Sequence, residues 1–267
     1  MAQQNVEQGT LREPGDDGIQ TEIEHTAFQN LRWEAYRVLG LGFFGLAVAL
    51  PLFAGLIGAD LAHIAISLFV YGAISGAIIF GLPLHLPHIR FGPANRLSLL
   101  RGLIIAVLAG FAWNTPATQH VEWIVCILAV CALVLDGLDG AVARRSGITS
   151  ELGARLDCEL DGLLTLILSF VVYLSGRVDA FILLAGAMHY AFFAARLLKL
   201  VPVVELPSSF RRQTAGVVSS FLLVLCCAPS MGASVDTALA LTAVLLLTSS
   251  FAIDLAALIR TKEPALR

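Results

Sequence analysis

Four aspartates, Asp136, Asp139, Asp157 and Asp161, lie within a short stretch of a chain that is 57% hydrophobic and only 14% charged. Carboxylates are costly next to hydrocarbon, so four of them in such a chain indicate a functional site. Each pair has a spacing of three or four residues, which puts both members on one face of a helix. Converging carboxylates repel one another unless cations neutralise them, and hard oxygen ligands suit Mg²⁺ or Mn²⁺. The spacing therefore predicts a divalent-metal site that holds a diphosphate.

The residues around the aspartates fit a phosphate ligand. Gly140 and Gly153 carry no side chain, so a ligand could approach the backbone closely there. Arg144 follows the first pair by about one turn and could bind a phosphate with two parallel hydrogen bonds. Ser150 supplies a hydroxyl between the two pairs. The alternative is that Arg144 only anchors the chain at the membrane face, but anchoring explains neither the glycines nor the second aspartate pair.

Composition places these residues in an all-α integral membrane protein. The mean hydropathy is +0.82, and the net charge of -3 favours no nucleic-acid partner. Apolar runs of about 18–25 residues, the length that crosses a bilayer as a helix, recur along the chain. They predict eight spans near residues 38–57, 61–83, 97–114, 119–143, 156–175, 179–200, 214–230 and 236–259.

The N-terminal segment differs from the rest in composition. Residues 1–25 are polar and are expected to form a disordered acidic tail. Residues 26–37 mix aromatic and charged side chains, which predicts a short interfacial helix. An extension of the first span explains the same residues equally well.

Basic residues predict the orientation. With eight spans, all of the 17 Lys and Arg except Arg177 fall on one side, which the positive-inside rule makes cytoplasmic. Both termini and the aspartates then face the cytoplasm. Counting inward from the outer helix ends places the two aspartate pairs at the same depth in the inner leaflet. We therefore expect a multi-pass protein of the cytoplasmic (inner) membrane with a cytoplasmic active site.

The aspartate stretch resembles the signature of the CDP-alcohol phosphatidyltransferase family, Asp-x2-Asp-Gly-x2-Ala-Arg-x8-Gly-x3-Asp-x3-Asp. Every fixed position is present between Asp136 and Asp161, including Ala143. The resemblance implies a six-helix core, a homodimer, and transfer of a phosphatidyl group from a CDP-lipid to an alcohol with release of CMP. Because it covers about residues 95–260, residues 38–94 would be two additional transmembrane helices with a connector. Residues 1–37 would be the tail and interfacial helix, and residues 261–267 a cytoplasmic tail.

Carried over by position, the resemblance also assigns roles. The four aspartates would bind two metal ions, and Asp161 would be the general base that deprotonates the acceptor. Contacts to the CDP-lipid, for example CDP-diacylglycerol, would come from Gly140, Ala143, Arg144, Ser150 and Gly153. The first core helix of family members often begins with Asn-x2-Thr-x2-Arg. Here the matching stripe, with serine in place of threonine, is Asn95, Ser98 and Arg101, which could line the nucleotide pocket. The alternative is that Arg101 only extends its charge to the membrane face.

The acceptor is open. A small alcohol or an alcohol phosphate is possible, and Arg155, Arg211 and Arg212 are basic candidates for binding a phosphate on it, although each could be a simple topology anchor. A reversed reaction, from CDP-choline or CDP-ethanolamine to diacylglycerol, shares the signature. Intramembrane aspartates also mark metal-ion transporters, although no carboxylate ladder continues outward here. A family-derived protein without activity is a further alternative.

The histidines and cysteines show no metal-binding spacing. The five cysteines are interpreted as small core residues. The histidines His63, His85, His88 and His189 are interpreted as core or interfacial residues rather than ligands.

Overall fold

The computed structural model describes residues 16–57, 59–88, 90–113, 118–146, 150–198 and 210–262. In these residues all regular structure is helical, which confirms the predicted all-α class. Two short 3-10 turns, Leu82–His85 and Ala180–Ile182, accompany the α-helices. The α-helices are α1 (Asp16–Ile57), α2 (Leu61–Gly81), α3 (Pro93–Trp113), α4 (Gln119–Ser146), α5 (Glu151–Leu174), α6 (Leu183–Leu197), α7 (Phe210–Cys227) and α8 (Ala233–Lys262).

Five of these helices are long and apolar enough to cross a membrane: the stretches His25–Gly55, Leu61–His85, Pro93–Trp113, Gln119–Val142 and Ala233–Ala257. The exposed surface carries large apolar side chains, among them Phe44, Phe69 and Phe80, whose exposed fractions are 68% to 89%. Contact of such a surface with lipid is favourable, whereas its contact with water is not. The protein is therefore an integral membrane protein, while the full set of eight spans stays a prediction.

The N-terminal segment differs from the expected arrangement. Helix α1 runs without a break from Asp16 to Ile57, so the residues between 16 and 25, expected to be disordered, are helical. Residues 26–37 form part of α1 and not a separate interfacial helix, which agrees with the alternative of an extended first span. Residues 26–37 continue into the first span because Leu31, Ala35 and Leu39 form one buried stripe at four-residue spacing, with no glycine or proline between them. Residues 1–15 lie outside the described part.

Helix α3 lies at the centre of the bundle. More than half of its apolar stretch (56%) is buried, against 17–28% in the other four candidate spans. It begins with Pro93, whose fixed backbone angle suits the first position of a helix. It packs against α2, α4 and α5, with Ile105, Leu108 and Phe111 fully buried. Because α4 and α5 carry the two aspartate pairs, side chains of α3 can lie between them.

Helix α6 supports α5 through close contact at a glycine. A Cβ atom at Gly186 would lie 2.5 Å from the Cα of Leu166, which is a backbone atom of α5 and cannot rotate away. The absence of a side chain at Gly186 thus sets how near the two helices approach.

We expect Gly186→Ala to destabilise the protein by about 1–3 kcal/mol, because the added methyl group must push α6 away from α5. A thermal melt of the purified protein measures this effect. The matched control is Gly72→Ala in α2, where a Cβ would meet no atom within 4 Å. Alanine has the higher helix propensity, so this control should be neutral or slightly stabilising. Equal melting temperatures for the two variants would contradict the close approach.

Arg177, the one basic residue predicted on the outer side, joins several helix ends. Its Nη1 donates a hydrogen bond of 2.6 Å to the carbonyl oxygen of Ala228, beyond the end of α7. Its guanidinium also lies 4.0 Å from the carboxylates of Glu122 and Asp236, in the first turns of α4 and α8. The positive charge of Arg177 is therefore neutralised locally. Arg177 lies beyond the C-terminal end of α5, whereas Asp157 lies near its N-terminal end.

Candidate active site

The two aspartate pairs meet at the side chain of Arg101, which α3 places between α4 and α5. Its side chain has no exposed surface. Its Nη1 donates hydrogen bonds to Asp136 of α4 and, at 3.2 Å, to Asp161 of α5. Its Nη2 donates to Asp157 at 3.3 Å and lies 3.9 Å from Asp139. The predicted convergence of the two pairs is therefore present, and its centre is an arginine.

The charges at this centre do not balance. Four carboxylates can carry four negative charges, and one guanidinium supplies a single positive charge against them. Repulsion among partly buried carboxylates is unfavourable, so the cluster favours further cations.

Ser98 adds a neutral donor to the same cluster. Its hydroxyl lies 3.2 Å from Asp139 Oδ2, 3.4 Å from Asp157 Oδ1 and 3.2 Å from the carbonyl oxygen of Ala94. One hydroxyl has one hydrogen, so it serves these acceptors alternately. Asn95, Ser98 and Arg101 are buried at 6%, 3% and 0% exposure, so the predicted stripe of α3 lies inside the protein.

The four carboxylates differ in how open they are. The exposed fraction of the side chain is 3% for Asp139 and 30% for Asp136, both on α4. It rises to 41% for Asp157 and 58% for Asp161, both on α5. Asp139 is thus the closed side of the cluster and Asp161 its open side.

The signature residues that follow Asp139 continue α4. Gly140 is half-buried. Ala143 and Arg144 lie in the helix, but their side chains are outside the described part, as are residues 147–149. The expected contact between Arg144 and a phosphate therefore stays a prediction.

A second group of predicted residues meets where α5 begins. Ser150 caps α5, its Oγ accepting a hydrogen bond of 3.1 Å from the Gly153 amide. A Cβ at Gly153 would lie 3.4 Å from both Ser150 Oγ and Asn95 Oδ1. Asn95 is fixed in turn, since its Nδ2 donates to the carbonyl oxygen of Phe91 at 2.7 Å. Three residues predicted to contact the CDP-lipid thus form one group.

Two contacts of this site could not be found by reading the sequence. Arg101 lies at the centre of the carboxylates, whereas the sequence placed it only in a nucleotide pocket or at the membrane face. His85, interpreted as a core or interfacial histidine, lies 2.9 Å from Ser150 Oγ although 65 residues separate the two. Spacing along a chain reports contacts within one helix and not between distant segments, so neither contact had a sequence signal.

The candidate acceptor residues lie in two other places. Arg155 pairs with Glu151 at 2.6 Å on the exposed face of α5. Arg211 of α7 binds the Asp254 carboxylate and donates to Ser250 Oγ at 2.9 Å, and Arg212 lies 3.7 Å from the same carboxylate. Arg211 also lines a cavity of about 330 Å³ between α7 and α8. The described contacts join none of the three arginines to the four aspartates.

The donor set suits hard divalent cations. In the residues that the structure describes, no three His, Cys, Asp or Glu side chains already form a metal cage. The carboxylates are arranged around the Arg101 guanidinium instead. They supply oxygen ligands and excess negative charge, so Asp136, Asp139, Asp157 and Asp161 are the residues that would hold Mg²⁺ or Mn²⁺.

Comparison with known proteins gives the family. Residues 92–255 match the family model described as CDP-alcohol phosphatidyltransferase. Searches among curated proteins and among solved structures gave no match. The family transfers phospholipid head groups from CDP-alcohols and generally depends on divalent metal. The matched region contains both aspartate pairs and the α3 stripe and spans more than half of the sequence, so the chain belongs to the CDP-alcohol phosphatidyltransferase family.

Proposed function

We propose that this protein makes a membrane phospholipid by transferring a phosphatidyl group from CDP-diacylglycerol to an alcohol, with release of CMP. The observation that carries the proposal is the cluster of four aspartates around Arg101, inside an apolar helical bundle. A diphosphate linked to acyl chains needs strong charge neutralisation beside hydrocarbon. A carboxylate cluster able to hold divalent cations at the membrane supplies it.

In this proposal Asp136, Asp139, Asp157 and Asp161 hold two ions, Mg²⁺ or Mn²⁺. Bound metal ions would stabilise the negative charge that develops on the diphosphate and on the leaving CMP. Asp161 takes the proton of the acceptor hydroxyl as general base, which its open position supports. Asp139, almost fully buried, anchors the closed side of the site.

The donor would be bound by two groups of residues. Asn95, Ser150 and Gly153 form one wall at the start of α5, where the missing side chain of Gly153 leaves room beside two polar groups. Ser98 and Arg101 of α3 bind and orient charged groups beside the carboxylates. Gly140, Ala143 and Arg144 would add contacts from α4.

The proposal extends to the arrangement of the chain. Residues 95–260 form the catalytic core, residues 38–94 an added helical pair with its connector, and residues 1–37 and 261–267 cytoplasmic ends. The distribution of Lys and Arg supports an active site on the cytoplasmic side of the inner membrane. A homodimer is proposed from family membership alone.

The acceptor is proposed to be a small alcohol or alcohol phosphate. Arg155, Arg211 and Arg212 are the proposed contacts to it. Arg211 and Arg212 both lie against the Asp254 carboxylate, and two neighbouring guanidinium groups suit the binding of a phosphate.

The test supplies purified full-length protein in lipid nanodiscs with Mg²⁺ or Mn²⁺, CDP-diacylglycerol, and a panel of alcohols and alcohol phosphates. Mass spectrometry of the lipids and quantification of CMP are the measurements. We expect one new phospholipid and one CMP for each lipid formed. Phospholipid that forms only when CDP-choline and diacylglycerol are supplied would mean that the CDP-linked substrate carries the head group and that diacylglycerol is the acceptor. Metal uptake into liposomes without CMP release would point to transport instead.

A further inference from the structure

His85 connects the added N-terminal helices to the core. It ends the 3-10 turn Leu82–His85 that follows α2, and its side chain is fully buried. It lies before the region that matches the family, residues 92–255, so family membership gives it no role. The buried imidazole nevertheless contacts residues inside that region.

The contacts of His85 determine where its hydrogen lies. Its Nε2 is 2.8 Å from the carbonyl oxygen of Arg90, and a carbonyl oxygen only accepts, so Nε2 carries the hydrogen. Its Nδ1 is 2.9 Å from Ser150 Oγ and 3.4 Å from Asn95 Nδ2, and both of these groups can donate. A neutral ring with a hydrogen on Nε2 therefore donates to Arg90 and accepts at Nδ1, where Ser150 is the nearer of the two donors.

This arrangement fixes the Ser150 hydroxyl in one direction. Its oxygen accepts from the Gly153 amide, and its hydrogen points at His85 Nδ1. Ser150 begins α5, which carries Asp157 and Asp161. His85 therefore lies directly behind Asn95, Ser150 and Gly153, the group proposed to bind the donor.

A second contact from the added helices acts on the same region. Glu34 of α1 accepts a hydrogen bond of 3.2 Å from the Phe91 amide and one of 2.6 Å from Arg96 Nη2. Glu34 and His85 together contact Arg90, Phe91 and Arg96. These three residues lie on both sides of the start of α3. Both added helices thus hold the beginning of the helix that carries Asn95, Ser98 and Arg101.

We infer that His85 is a positioning residue for the CDP-lipid, and that the added helices serve to hold it behind Ser150 and Asn95. The inference rests on the proposed function. If His85 acts by orienting these two residues, its loss weakens donor binding and leaves acceptor binding and the carboxylate cluster in place. We expect His85→Ala to raise the KM for CDP-diacylglycerol on the order of ten-fold, with a much smaller change in the KM for the acceptor.

Two conservative variants separate this role from simple packing. The side-chain amide of asparagine reaches about the position of Nδ1, so His85→Asn keeps a partner for Ser150 and loses the contact to Arg90. Glutamine reaches about the position of Nε2, so His85→Gln does the reverse. If His85 acts through Ser150, the KM for the donor should be closer to the wild-type value in His85→Asn than in His85→Gln.

The experiment measures KM for donor and acceptor, kcat and melting temperature for the full-length protein and these variants in nanodiscs. The control is His63→Ala, at the opposite end of α2, where a buried histidine packs edge-on against Phe111. The control should lower the melting temperature without raising the KM for the donor. In the Ser150→Ala background, His85→Ala should add little further increase in that KM.

The outcomes distinguish the two proposals. An active wild type together with an unchanged donor KM in His85→Ala, or equal rescue by asparagine and glutamine, would overturn the positioning role. A wild type that transfers nothing from CDP-diacylglycerol would overturn the proposed function and the role of His85 with it.

Discussion

Asp161→Asn is expected to lower the rate of phosphatidyl transfer by about 10³-fold or more while leaving the fold intact. The amide cannot take the proton of the acceptor, and general-base catalysis alone contributes roughly 10²- to 10⁴-fold. The substitution also removes one negative charge from the ligands proposed for the metal ions. Since Asp161 is the most exposed of the four carboxylates, little packing is lost. Release of CMP measures the rate, and a thermal melt checks the fold.

The matched control for this variant is Glu159→Gln. It makes the same carboxylate-to-amide change two residues away on α5, where Glu159 lies 3.9 Å from His189, away from the aspartate cluster. We expect transfer close to the wild-type rate from the control. Wild-type-like turnover by Asp161→Asn, with its folding confirmed, would rule out Asp161 as the base.

Arg101→Met is expected to destabilise the metal-free protein by roughly 3 kcal/mol. The variant leaves four carboxylates without the buried cation that contacts all of them, and breaking a buried ion pair from one side is strongly unfavourable. Divalent cations can replace the missing charge, and a ligand that binds only the folded state raises stability. Saturating Mn²⁺ should therefore raise the melting temperature of the variant by more than that of the wild type.

Two further variants sharpen this prediction. Arg101→Lys keeps one positive charge and should be less destabilised without metal. Arg155→Met removes an arginine that pairs with Glu151 on the surface, where such pairs contribute at most about 1 kcal/mol, and Mn²⁺ should act on it as on the wild type. An equal rise with Mn²⁺ in Arg101→Met and in the wild type would contradict binding of the metal to the carboxylates that Arg101 neutralises.

The aspartate cluster could be predicted because its information is local. Helix periodicity puts Asp136 beside Asp139 and Asp157 beside Asp161. Because carboxylates are unfavourable near hydrocarbon, four of them together indicate one functional site. The length of the apolar runs gave the positions of the helices in the same way. Asn95, Ser98 and Arg101 shared a predicted helical stripe, and all three are buried.

The remaining features depend on how distant segments pack. Arg101 reaches the carboxylates because α3 lies between α4 and α5, an order of helices that apolar periodicity does not specify. His85 meets Ser150 for the same reason. Residues 26–37 join the first span without a break, since Leu31 and Ala35 are buried although charged residues surround them in the sequence.

The four aspartates are proposed to form a metal-dependent site for transfer from a CDP-lipid. The most direct test is the release of CMP from CDP-diacylglycerol in nanodiscs, after stripping with a chelator and during titration with Mg²⁺ or Mn²⁺, in the presence of an acceptor identified from the panel. We expect no CMP from the stripped protein, full recovery on adding metal, and no recovery in Asp139→Asn. CMP release that persists in the chelator, or that recovers equally in Asp139→Asn, would contradict the proposal.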